Sequence, residues 1–135
     1  MLRLNKDIVV NDIKRVPFNR NKTYFPEAGM LGTEYVGSDR YAVVCISVDS
    51  PKRITVGKLS NVDENTDIDN YPNIEIDDEG VMRLININAE RIYTTSRWSL
   101  RTDKRGNQGW REMGSGKHSA SIHWGIADPY RDPSF

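Results

Sequence analysis

The chain has 135 residues, with 19 basic side chains against 19 acidic ones and no net charge. That length suits a single domain with one sizeable core. The charge balance argues against a general polyanion binder but leaves room for a local basic patch. One cysteine excludes an internal disulfide framework and fits a reducing compartment. With no run of eighteen apolar residues and no signal-peptide-like stretch, neither export nor membrane insertion is expected.

Residues 1–28 read as an N-terminal extension or edge strand. Residues 1–10 mix Leu2, Leu4, Ile8 and Val9 with polar side chains, and residues 11–23 are polar and basic around Pro17. Tyr24, Phe25, Pro26 and Glu27 lead through Gly29 into a strand over residues 30–36. Gly37, Ser38 and Asp39 then turn the chain into its most apolar stretch, residues 41–48. There β-branched and aromatic residues dominate, as a pleated surface requires. Period two places Ala42, Val44, Ile46 and Val48 on one face and Tyr41, Val43, Cys45 and Ser47 on the other. Both faces are largely apolar, so this strand is expected at the centre of its sheet. Asp49, Ser50, Pro51 and Lys52 form a turn. Arg53 to Gly57 returns as a strand with Ile54 and Val56 inward, completing a three-strand meander. Cys45 reads as a buried thiol acting as a small hydrophobe.

Residues 62–80 break this pattern. They hold Asp63, Glu64, Asp67, Asp69, Glu75, Asp77, Asp78 and Glu79, with no lysine or arginine. The expectation is an acidic loop insertion, solvated and kept out of the core by its charge. Two other readings are a calcium loop and a flap folded over the basic hairpin that follows. Calcium is disfavoured by Ile68 and Ile74, which stand where an EF-hand requires glycine and glutamate. Residues 81–87 form a further strand, and residues 89–95 run on extended. A hairpin follows over residues 97–113, turning at Lys104, Arg105, Gly106 and Asn107. Residues 120–126 make a last short strand. The tail, broken by Pro129 and Pro133, is held to the body by Tyr130 and Phe135.

No capped window with a 3.6 period is present, so the fold class is all-β. The architecture expected over residues 1–135 is a small SH3-like or partly open barrel of about seven short strands. A two-sheet β-sandwich is the alternative.

Chemistry concentrates in the hairpin. Seven cations lie between residues 91 and 117, with Trp98 and Trp110 among them. Guanidinium groups offer planar, bidentate donors to phosphate, and an aromatic face can stack a base. Arg97, Arg101, Arg105 and Arg111 are the candidate phosphate ligands, and Trp98 or Trp110 the candidate stacking face. The competing reading is that both tryptophans are core. His118 and His123 fall on opposite faces of a strand and make no metal pair. No Gly-x-Ser-x-Gly or Gly-x-x-x-x-Gly-Lys motif is present. The expectation is a protein without catalytic residues, metal or cofactor, whose partner is a small phosphorylated ligand.

One resemblance sharpens this. Gly29-Met30-Leu31-Gly32-Thr33-Glu34, Ser38-Asp39-Arg40-Tyr41-Ala42 and Lys52-Arg53-Ile54-Thr55-Val56 resemble segments of small tailed-bacteriophage proteins of uncharacterised function. So do Trp98-Ser99-Leu100-Arg101, Gly109-Trp110-Arg111-Glu112-Met113-Gly114 and the tail from Tyr130 to Phe135. The likeness begins at Gly29 and skips the acidic insertion. It implies phage origin and action in the host bacterial cytoplasm. By analogy with small phage proteins that oppose host defence, the expected function is a sponge for a nucleotide or cyclic nucleotide signal. One alternative is an inhibitor that docks its acidic segment on a host defence enzyme. Another is a virion or DNA-associated structural module. Self-association is left open.

Overall fold

The computed structural model of the chain describes residues 24–114 and 121–131. The expected strand over residues 1–10, the stretch 11–23, His118 and Phe135 lie outside them. Among the described residues eight strands form: β1 (Leu31–Val36), β2 (Asp39–Ser50), β3 (Arg53–Leu59), β4 (Ile74–Ile76), β5 (Met82–Leu84), β6 (Ile92–Thr102), β7 (Gln108–Glu112) and β8 (Ser121–Trp124). Six of them make a nearly closed, barrel-like antiparallel sheet in the order β7-β6-β3-β2-β1-β8, while β4 and β5 form a small second sheet. Two single 3-10 turns, Ile68–Asn70 and Ile87–Ala89, complete the regular structure of the described residues. The protein is thus all-β, with a partly open barrel.

β2 sits near the centre because both its faces are apolar. Ala42, Val44 and Ile46 point outward from the barrel into one core, and Val43 and Cys45 point inward into another. A bulge between Cys45 and Ser47 resets the alternation. Val48, expected beside Ala42 and Val44, is therefore exposed, and Ser47 faces outward opposite Thr55. The meander of β1, β2 and β3 forms as expected.

The inner core is the tryptophan core. Trp98 and Trp124 are fully buried with Met30, Val43, Cys45, Ile54, Val56 and Val81, and Trp110 closes one end. Gly32 pairs across the strands with Trp124, and a Cβ at Gly32 would meet the indole at 2.7 Å. The position therefore has to be glycine for β1 and β8 to stay in register. Within the barrel, Glu34 is almost fully buried, 3.7 Å from Lys58, whose ammonium lies 4.4 Å from the centre of the Tyr41 ring. Burial outweighs Lys58 and raises the Glu34 carboxyl above its ordinary range.

The second core lies outside the barrel and corrects the reading of residues 62–80. They are not a solvated loop. Val62, Ile68 and Ile74 are buried against Leu31, Ala42, Val44 and Leu59, together with Met82 and Leu84 of β5. The charges stay at the surface while the aliphatic side chains turn under. Asp77 shows how the turn is fixed. Its carboxylate accepts from Val81 N at 3.0 Å and Glu79 N at 2.9 Å, and pairs with Arg83 at 2.8 Å. Burial alone would raise Asp77, but these donors outweigh it and hold the carboxyl below its ordinary range. Arg83 also reaches Glu27. The segment is thus a cap on the aliphatic core and not a flap over the hairpin.

The C-terminal stretch completes the cover. Thr33, fully buried, donates to Ile126 O at 2.7 Å and accepts from Asp128 N at 2.9 Å. Arg40 donates to Asp128 O at 2.8 Å and stacks on Tyr130 at 5.0 Å. Tyr130 therefore pins the tail, as expected.

Candidate functional site

Strand pairing decides which hairpin side chains can act together. Neighbouring residues of a strand point to opposite faces, and directly paired residues share a face. Ser99 pairs with Arg111 on β7 and with Arg53 on β3, and Arg97 pairs with Thr55. Arg97, Ser99 and Arg101 alternate along β6, so Arg53, Arg97, Arg101 and Arg111 all stand on the outer face of β3, β6 and β7. All four are exposed around Ser99, which is 8% exposed. Arg101 is oriented by its Nε, which donates to Ser99 Oγ at 3.1 Å. Residues two apart on one strand stand roughly 6.8 Å apart. The guanidinium groups therefore form a spaced array.

One anion lies at the edge of this face. Asp49 accepts from Thr55 Oγ1 and Ser47 Oγ, each at 2.7 Å. Those two hydroxyls, with Arg97 nearby, hold its carboxyl below the ordinary range. Asp49 thus sets a negative charge near Arg97, while Arg101 and Arg111 lie further along the face.

The structure separates the residues that the sequence grouped. Arg97, Arg101 and Arg111 come together. Arg105 does not join them: it sits in the turn after β6, where Asp103 accepts from the backbone N–H groups of Arg105 and Asn107. The stacking role for Trp98 and Trp110 is corrected. Trp98 is fully buried with its Nε1 donating to Ser96 Oγ at 2.8 Å. Trp110 is 9% exposed and covered edge-on by Phe25 at 5.8 Å. Each tryptophan neighbours an arginine in sequence, so it must face the barrel interior when that arginine faces solvent. Sequence reasoning missed Arg53 and Ser99, although Arg53 alternates with the inward Ile54.

Among the described residues no group of three His, Cys, Asp or Glu side chains could hold a metal ion. Cys45 is buried, and desolvation, with Asp49 nearby, pushes its thiol up to about 12. No helix among the described residues is long and apolar enough to cross a membrane.

Fold and face together define a small, partly open β-barrel that presents arginines on an outer surface no described residue covers. No family model, curated protein or solved structure matches the chain.

Proposed function

We propose that the protein binds phosphorylated ligands on the arginine face of β3, β6 and β7. In keeping with the phage-like motifs, it would act in the host bacterial cytoplasm as a stoichiometric sponge for a nucleotide signal of antiviral defence, without catalysis. The observation that carries this reading is the placement of Arg53, Arg97, Arg101 and Arg111 on one uncovered face. Guanidinium groups match phosphate oxygens bidentately, and their planes can also stack on a base, the role the buried indoles cannot take.

The test is thermal unfolding, then calorimetry, against linear nucleotides, cyclic mono- and oligonucleotides, ADP-ribose isomers and a short single-stranded DNA. A ligand at a hundred times its dissociation constant stabilises by about 2.7 kcal/mol, which raises the midpoint by several degrees. Arg101→Ala combined with Arg111→Ala should abolish that shift while leaving the free protein's midpoint in place. Unchanged affinity in the double variant would sink the reading.

A second reading has one observation in its favour. The face is a strand surface with regularly spaced cations, which also suits an extended phosphodiester backbone. If that is the ligand, affinity for single-stranded DNA falls with salt at a log–log slope of about −0.7 per phosphate engaged. Cyclic nucleotides would then give no shift.

A further inference from the structure

The β6–β7 turn and the acidic cap are features that the arginine face leaves unused, and their charges are of opposite sign. The turn, residues 103–107, is tied across its base by hydrogen bonds. Asp103 N donates to Asn107 O at 2.8 Å, and the Asp103 carboxylate accepts from two backbone N–H groups. That carboxylate is held below its ordinary range by Asn107 above all. Gly106 takes a φ of +87°, and a Cβ added there would meet nothing within 4 Å. The turn therefore projects from the barrel as a preorganised knob carrying Lys104 and Arg105, both exposed.

On the cap, Tyr71, Pro72, Ile74, Glu75, Ile76 and Ile85 line an open cleft of about 380 Å³. Ile85 is 67% exposed, which is unusual for an isoleucine beside a core, and Glu75 is exposed on the lining. The cap surrounding the cleft carries eight carboxylates between residues 62 and 80, against Arg83 of β5, which stands across the strands from Glu75 and pairs with Asp77 and Glu27. Long cationic side chains bury their methylene stems on apolar surface while their heads reach anions. An apolar floor beneath a strongly acidic surface is the environment such side chains need.

We propose that the cap cleft is a docking surface for the β6–β7 turn of a second copy of this chain. Lys104 and Arg105 lay their stems on Ile85 and Pro72, and their charged heads meet Glu75 and its acidic neighbours. The contact joins two different surfaces, so each copy offers one knob and one cleft, and association runs head to tail. Zero net charge removes the overall repulsion that would oppose it.

Analytical ultracentrifugation of the full chain tests this. The expected result is a mass that rises with protein concentration at about 50 mM salt and returns to monomer near 0.5 M, where charges are screened within a few ångströms. Lys104→Ser with Arg105→Ser should leave a monomer at all concentrations, as should Glu75→Gln with Ile85→Ser. All four residues are exposed, so both variants should keep the wild-type melting temperature. Mixing the two variants should restore a single 1:1 dimer and nothing larger, because one retains only the cleft and the other only the knob. A wild-type monomer at low salt overturns the proposal. So do an oligomer that survives either variant and a mixture that stays monomeric.

Discussion

The outer face of the barrel has two regions, and the chain treats them oppositely. Over β1, β2 and the end of β3 the outward residues are Leu31, Val44, Ile46 and Leu59, and the cap and the tail cover them. Over β3, β6 and β7 the outward residues are Arg53, Arg97, Ser99, Arg101 and Arg111, and this half remains open. One sheet face thus supplies stability at one end and a charged surface at the other. Covering the first half buries apolar area at about 25 cal/mol per Å². Covering the second would strand cations away from water, which is costly without anionic partners. The difference teaches that anything seated on the exposed arginine half would have to bring negative charge.

The comparison can be broken most forcefully in the two cores. Trp98→Ala should cost about 3–5 kcal/mol and Ile74→Ala about 2–5 kcal/mol, read from urea unfolding midpoints. Arg111→Ala should stay within about 0.5 kcal/mol of the parent. The Ile74 value is the decisive one. A cap that merely rested on the barrel would make Ile74→Ala as mild as Arg111→Ala, and the division of the face into covered and open halves would fail.

A smaller effect probes how the cover is fastened. Thr33→Val keeps the shape but removes the hydroxyl that bridges Ile126 O and Asp128 N. It should cost about 1–3 kcal/mol, since buried polar groups lose their partner. Hydrogen exchange should quicken at Ala127 and Asp128 while the β6–β7 amides stay protected. Uniform quickening would mean that the tail and the barrel open as one unit.

Much of this division was legible. Alternation in β2 announced two apolar faces, and the hairpin and its turn fell where their residues placed them. The bulge after Cys45 was not legible, because nothing in Cys45-Ile46-Ser47 marks an extra residue, and Val48 changed sides as a result. The cap was missed for a physical reason. Val62, Ile68 and Ile74 stand six residues apart, too sparse for the apolar runs that mark a strand or a helix, and are embedded in carboxylates. Ile68 is buried by a 3-10 turn, Val62 by irregular chain and Ile74 by the short strand β4, none of them by a long repeating face. The tryptophan error was avoidable. Arg97 and Trp98, like Trp110 and Arg111, are adjacent on strands and cannot serve one ligand from one face.

The buried carboxylate inside the barrel offers a pH-dependent contrast with the open face. Burial raises Glu34 despite Lys58, with Glu112 adding to the rise. A carboxyl with a raised folded-state pKa contributes stability that is complete below the ordinary carboxylate range. That contribution is lost as pH rises through the raised value. Glu34→Gln should therefore melt higher than the parent at pH 7 and alike near pH 4. A lower melting temperature at pH 7 would show that the Lys58 ion pair outweighs the burial cost.

The smallest expected effect lies on the open face and sharpens what that face is for. Asp49 is an exposed anion next to Arg97, held by the hydroxyls of Ser47 and Thr55. If the face receives phosphate, Asp49 opposes it, and Asp49→Asn should tighten binding up to about fivefold at low salt, the scale of one screened charge at close range. The gain should shrink as salt rises, and it should vanish in the Arg101→Ala, Arg111→Ala background, where no phosphate is held. Both dependences matter. A gain that ignored salt would point to a change in shape, and one that persisted without the arginines would place the ligand elsewhere. Tightening that follows both would tie the anion to the face that the strand pairing builds around Ser99.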